Sequence, residues 1–396
     1  MKKLTFLTLL VALGGALYAQ TSETGQQKNY ISTGMPILMI APDAISSGMG
    51  DVGVATTPDA YSAHWNNAKF AFIEGNVGAY TTYTPWLRKL NVGDMNLFYL
   101  AGYYRINQRS TAAASLTYFT LGDIDNTNTE GEKLMTLHPN EFAVDLTYAL
   151  KLNDNLSIGA TGRYMRSDLT NSISFDDGGG WTPTHAANSL AADIGLYYQQ
   201  NVDKAQDYAL GVFISNLGAK LSYSDEDNDK EFLPANLRIG GRYTNRIDDY
   251  NKISVLLDFN KLLVPTPPLR RDMSSATAEE QKKYEEEWSR YNSMGVIEGA
   301  FNSFTDAPGG LTEELQEIQI SGGAEYWYSE TFVVRAGYFY EHANKGGRQY
   351  ATVGVGIRYN YFAGDFSYLI PTTTISTNSL ANTIRVSIGL DMKPTK

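Results

Sequence analysis

Twelve charged residues share one phase of a period-two pattern. Glu141, Asp145, Asp193, Asp258, Glu325 and Asp365 stand on it, and so do Arg163, Arg238, Arg242, Arg335, Arg358 and Arg385. The chemistry open to such a set is ion pairing. Arginine's planar fork suits bidentate contact with carboxylates, and the two signs balance, whereas an ion-selecting pore carries a ring of one sign. Reaction chemistry has no carrier. His64, His138, His185 and His342 lie in separate segments without metal-ligand spacing. No Gly-x-Ser-x-Gly elbow, P-loop or cysteine nucleophile occurs. The acidic run 225–231 lacks the glycine of a calcium loop at its sixth position, and Asn236 stands where the twelfth-position glutamate belongs. The sequence predicts no enzyme, no metal and no cofactor.

Trp86, Trp181 and Trp288 fall on connecting segments, Trp181 within Gly178-Gly179-Gly180-Trp181-Thr182-Pro183. Aromatic rings on loops are candidate anchors for a protein partner. The alternative is a ring packed on its own loop or in an aromatic girdle.

The elements that position the charges are strands. In residues 140–151, Phe142, Val144, Leu146, Tyr148 and Leu150 alternate with Glu141, Ala143, Asp145, Thr147 and Ala149. Such alternation marks a strand with one apolar face. The pattern recurs at 76–83, 95–105, 110–121, 141–151, 156–166, 189–199, 208–216, 236–244, 252–260, 317–328, 332–340, 350–359, 362–370 and 382–391. Most segments approach the ~9–11 residues that a tilted strand needs to cross a bilayer. After even-numbered strands the turns are short, as in Ile106-Asn107-Gln108-Arg109, Leu152-Asn153-Asp154-Asn155 and Ser329-Glu330-Thr331. After odd-numbered strands most connections are long: 122–140, 167–188, 217–235 and 261–316. Short periplasmic turns and long extracellular loops are the asymmetry of an outer-membrane barrel. The fold expected is all-β, a closed antiparallel transmembrane β-barrel of about 14 strands over 76–392, its charged phase facing the lumen. In the loop 261–316, residues 276–291 read as a surface helix, preceded by Pro265, Pro267 and Pro268 and followed by Pro308-Gly309-Gly310.

Composition agrees with an exported membrane barrel. Met1-Lys2-Lys3, the apolar run Leu4 to Leu13 and Leu17-Tyr18-Ala19 have the layout of a signal peptide, assigned to 1–19. Its removal takes the formal charge from −11 to −13, a balance unsuited to nucleic acid. Tyrosine reaches 27 residues, and such amphipathic rings belong at membrane interfaces.

Residues 20–75 form a hatch segment by their composition, glycine-rich and of mixed polarity. They contain Ile37-Leu38-Met39-Ile40-Ala41-Pro42-Asp43-Ala44, Gly48-Met49-Gly50 and His64-Trp65-Asn66. With His138-Pro139-Asn140-Glu141 and Leu233-Pro234-Ala235-Asn236-Leu237-Arg238, this block resembles the PorV (LptO) family of the type IX secretion system of Bacteroidetes. That family lies within the FadL-like barrel superfamily, whose fatty-acid transporters usually read Asn-Pro-Ala where this chain has Asn66-Asn67-Ala68.

The resemblance implies an outer-membrane shuttle. Its partners would be the type IX translocon barrel, the C-terminal signal domains of secreted cargo, the sortase of the surface attachment complex, and outer-membrane lipids. Two alternatives remain at this point. A FadL-like channel for hydrophobic compounds needs a greasy lumen pocket, and a general porin needs an open lumen. The balanced lumen charges instead predict a network that braces the hatch and shuts the barrel.

Overall fold

A computed structural model of the chain describes residues 30–86, 94–127, 133–169, 175–176, 181–182, 184–224, 230–269, 276–373 and 383–392. The expected signal peptide and the acidic tip 225–229 lie outside them. Fourteen strands close on themselves: Val77–Pro85 (β1), Asn96–Arg105 (β2), Ser110–Thr120 (β3), Asn140–Lys151 (β4), Leu156–Asp168 (β5), Ala187–Asn201 (β6) and Gln206–Gly218 (β7) make the first half. Asn236–Arg246 (β8), Asn251–Leu262 (β9), Gln319–Tyr328 (β10), Phe332–Tyr340 (β11), Gln349–Tyr359 (β12), Phe362–Pro371 (β13) and Ile384–Met392 (β14) make the second. Each pairs antiparallel with its sequence neighbours, and β14 returns to β1 with Val77 opposite Met392. Closure leaves no edge strand, which is what a sheet in lipid requires.

The period-two pattern sets the two faces. On β4 the outward side chains Val144, Leu146 and Tyr148 are exposed and the inward Glu141, Asp145 and Thr147 are buried. Leu190, Leu210, Val255, Val334, Val355 and Ile388 continue the exposed apolar wall around the barrel. In water that wall would be an aggregation surface; in a bilayer it is the solvent contact. Tyrosines flank it: Tyr83, Tyr118 and Tyr164 towards the long loops, Tyr104, Tyr148, Tyr243 and Tyr359 towards the short turns.

Four of the six short turns share one construction. Asn107, Asn153, Asp203 and Asp248 each accept with Oδ1 from the backbone N–H groups two and three residues on, at 2.7–3.0 Å. A short Asn or Asp side chain that caps its own turn explains the residue type. Each of these turns also accepts from the hairpin beyond it: Lys151 N to Arg109 O, Gln199 N to Asn155 O, Arg246 N to Ala205 O and Ser329 N to Tyr250 O. The short-turn rim is thus stitched laterally from turn to turn.

The described parts of the long loops carry secondary structure. Three carry two-stranded hairpins of their own, Ile124–Thr127 with Lys133–Leu137, Phe175–Asp176 with Trp181–Thr182, and Leu221–Ser222 with Lys230–Glu231. Inside the barrel, the chain from Tyr30 begins beside the long loops, where Gly34 N donates to Phe232 O. It crosses the lumen and reaches the short-turn rim at Asn76, whose N–H meets Met392 O. This hatch contains two single-turn helices, Ala44–Ser47 (α1) and Ser62–Trp65 (α2). Asp43 caps the first through Ser46 N at 2.7 Å. The helix expected at 276–291 is Ala278–Ser293 (α3), opened by a capping box between Thr277 and Glu280. Two unexpected short helices follow it, Val296–Asn302 (α4) and Leu311–Gln316 (α5).

Candidate lumen and loop interfaces

All twelve charges of the inward phase face the lumen, and they form three groups. The first ties wall to wall. Arg163 on β5 grips Asp145 on β4 through Nε at 2.6 Å and Nη2 at 2.9 Å, and its Nη2 lies 3.0 Å from Asp193 Oδ2 on β6. Asn216 joins the group: its N–H donates to Asp193 at 2.7 Å and its amide oxygen accepts from Arg163. Asn216 holds a left-handed backbone at φ 61° where the β6–β7 register shifts beside Asp193. A bulge here aims both groups at one guanidinium.

The second group surrounds Trp327. Arg335 meets Asp365 at 2.7 Å and lies 3.5 Å from Glu325, while Arg358 contacts Asp365 at 3.0 Å. Arg335, Arg358 and Lys252 all lie 5.3–5.7 Å from the centre of the Trp327 ring. An aromatic face can hold cations in this way without a neutralising charge.

The third group holds the hatch. Asp258 Oδ2 accepts from Gly53 N at 2.7 Å and Val54 N at 3.0 Å. Arg385 Nε donates to Ala41 O at 2.9 Å, and Arg242 donates to Thr57 at 2.7 Å and to Asp207 at 3.1 Å. Arg238 stacks over Trp65 at 4.7 Å and reaches His64 O. Glu141 is the exception in this group, since it accepts from the hydroxyl of the wall residue Ser167 on β5 at 2.6 Å and touches no hatch residue among the contacts described. The expectation of one network bracing the hatch therefore resolves into part brace and part wall.

Other hatch contacts were not foreseen as functional. Asp43 Oδ2 accepts from Trp65 Nε1 at 2.6 Å, linking α1 to α2. Asn66 donates to Val54 O and Leu196 O, and Asn67 donates to Thr161. Lys69 is fully buried, with Nζ on Gly53 O at 2.8 Å and Thr56 at 2.7 Å. Gly50 N, Ala44 N and Ser47 Oγ meet the wall hydroxyls of Thr352, Ser387 and Ser367.

The wall is also hollowed to admit this backbone. A methyl group built on Gly159 would stand 2.5 Å from Ala68 N, on Gly211 2.4 Å from Val54 O, and on Gly323 2.5 Å from Met49 O. All three occupy inward positions of their strands. The signal available in the sequence was glycine on the charged phase of β-strands, where glycine otherwise weakens a strand.

The hatch separates two lumen cavities. One, of about 290 Å³, lies in the long-loop half and is lined by Ile37, Met39, Trp86, Phe119 and Phe339 together with Asp51, Arg238, Arg348 and Arg385. The other, of about 670 Å³, opens at the short-turn end beside Asp59, Arg242, Glu325 and Trp327.

The three loop tryptophans part company. Trp86, a loop candidate for an anchor, instead takes the packed alternative: it is buried, its ring edge-on to Phe119 at 6.2 Å. The reason is register: β1 runs to Pro85, Trp86 N still bonds Met95 O, and the next position falls on the inward phase. Trp288 is half-buried on α3 between Tyr284 and Tyr291, with ring separations of 6.2 and 5.8 Å. Trp181 pairs through its backbone with Asp176, and its side chain lies outside the described residues.

The family model described as type IX secretion system protein PorV matches residues 23–269. No curated protein matches the chain. Among solved structures, the Ralstonia pickettii toluene transporter TbuX is 12% identical with a TM-score of 0.51, covering 89% of this chain and 98% of its own. The P. putida toluene transporter TodX is 10% identical with a TM-score of 0.52, covering 89% and 99%. At such identity the likeness is one of fold, the FadL-like barrel.

Proposed function

Since the chain belongs to the PorV family of outer-membrane type IX secretion proteins, we propose that it is a non-enzymatic shuttle for secreted cargo. It receives the C-terminal signal domain of that cargo at the translocon barrel and delivers it to the attachment complex that holds the sortase. The observation that carries this reading is the occupied lumen. A hatch bonded to the wall through Asp258, Arg385, Arg242 and Asn67 blocks the axis, so folded cargo has only the outer loops to engage. Deleting the protein and measuring surface display of signal-bearing cargo tests it. Display should fall while cargo accumulates in the periplasm, and unchanged display removes the shuttle.

One observation favours a second reading, a channel for hydrophobic compounds. The cavity of about 290 Å³ has apolar side chains on its wall, and TbuX and TodX are named as toluene transporters. Against it, three guanidinium groups and Asp51 share that wall. Mass spectrometry of the purified barrel separates the two: co-purifying translocon and cargo support the shuttle, bound hydrophobe alone the channel.

A further inference from the structure

The geometry points to a docking platform on the outer face, formed by α4 and α5, for a polypeptide whose apolar side chains are flanked by lysine or arginine. Ile297 and Phe301 stand one turn apart on α4 and are 60% and 75% exposed; Leu311 and Leu315 do the same on α5 at 75% and 60%. Phe304, on the chain between the two helices, is partly exposed and has its ring 5.8 Å from Lys261 Nζ. These side chains belong to the connection between β9 and β10, on the loop side of the lipid-facing wall. A cluster of large apolar groups held out on a soluble loop marks an interaction site.

The platform is held rigid from behind. Lys261 Nζ binds Glu314 at 3.0 Å and Glu317 at 2.6 Å, and Lys345 Nζ binds Glu313 at 2.5 Å and Glu317 at 2.9 Å. Glu314 also accepts from Ala307 N, and Asp306 from Thr266 N. Gly299 fits against Pro265 and Phe232, where a side chain would crowd both. Preorganisation of this kind reduces the entropy lost on binding. The side chains of Ile297, Phe301, Leu311 and Leu315 stay exposed in spite of these contacts.

Charge selects the occupant. Asp306, Glu313, Glu314 and Glu317 are taken up in those contacts. The rest of residues 276–318 still sets six carboxylates, Glu279, Glu280, Glu285, Glu286, Glu287 and Glu298, against Lys282, Lys283 and Arg290. An anionic lipid surface and a second copy of the same acidic face are both repelled, whereas a basic, apolar protein surface is attracted. The inference rests on the shuttle reading for the identity of the partner and on the platform alone for its chemistry.

The test uses the full-length barrel in zwitterionic nanodiscs and a fluorescent amphipathic peptide of leucine and lysine, with a leucine–glutamate peptide and empty nanodiscs as controls. The lysine peptide should bind, more weakly as salt rises. A Phe301→Ser/Leu311→Ser/Leu315→Ser variant that keeps its heat-modifiable gel mobility should lose at least about tenfold in affinity. Equal binding to that variant, or equal binding of the glutamate peptide, overturns the proposal. So does a variant that turns a dimer into a monomer, or that loses affinity for anionic vesicles, because the occupant would then be a second copy or lipid. The shuttle reading fails separately, in the cargo-display experiment.

Discussion

The Met49 backbone occupies the place where Gly337 would carry a side chain: a methyl group built on Gly337 would lie 2.0 Å from the Met49 carbonyl carbon. Backbone cannot step aside as the tip of a side chain can. Gly337→Val should therefore unseat the hatch, lowering the temperature at which the barrel loses its compact gel mobility and exposing Lys69 to trypsin. Gly322 supplies the control. It faces lipid on β10, a built methyl group meets nothing within 4 Å, and Gly322→Val should leave both readouts unchanged. Equal behaviour of the two variants would show that the glycine sockets do not hold the hatch.

Arg163 is a second point of leverage. It is buried and serves both Asp145 and Asp193. Arg163→Met would leave two carboxylates facing each other without their cation, a change that costs about 3–5 kcal/mol in buried pairs. Urea unfolding in liposomes should show that loss. Adding Asp145→Asn and Asp193→Asn should restore much of it, because the uncompensated charge is then gone as well. If the triple variant is no more stable than the single one, the arginine acts through packing instead.

How much of this was legible beforehand follows from the physics of each feature. Strand alternation is local, so parity alone assigns Glu141, Asp145 and Arg163 to the lumen, and the predicted segment 332–340 has the bounds of β11. Trp86 escapes parity because the expected strand stops at 83 where β1 runs to Pro85, and ends are the least determined feature of a strand. The hatch contacts were out of reach for another reason. Asn66 to Leu196 and Gly50 to Thr352 join residues 130 and 302 positions apart, and no local pattern encodes such pairs. The platform helices are too short, at seven and six residues, to develop a clear helical period.

The filled lumen predicts electrical silence. Purified protein in planar bilayers should show no steady conductance, in contrast to an open porin. Asp258→Ala removes the acceptor of two hatch N–H groups, and Arg385→Ala removes the donor to Ala41. The double variant should flicker open without a lasting open state. A large, stable current from the unmodified protein would mean that water and ions pass the hatch as it stands.

Two hatch groups give stability an uncommon pH profile. Burial pushes the Asp59 carboxyl from its ordinary 3.8 up to about 7, with the Lys69 charge opposing it. Burial also lowers Lys69 from 10.5 to about 8, against the pull of Asp59. Between about pH 4 and 7 the folded chain keeps a proton on Asp59 that the unfolded chain has shed, so stability falls as pH rises. Between about pH 8 and 10 the unfolded chain holds a proton that folded Lys69 has lost, so stability rises with pH. The least stable interval is then near neutrality, the reverse of the usual maximum. Thermal unfolding followed from about pH 4.5 to about pH 9.5 should trace this minimum, with limbs of a few degrees because Asp59 borders a water-accessible cavity that screens it. Asp59→Asn should shallow the acid limb, the remainder coming from the hatch carboxyls of Asp43 and Asp51, which burial also raises, and Lys69→Met should flatten the alkaline one. An acid limb unchanged in Asp59→Asn assigns the effect wholly to those other carboxylates.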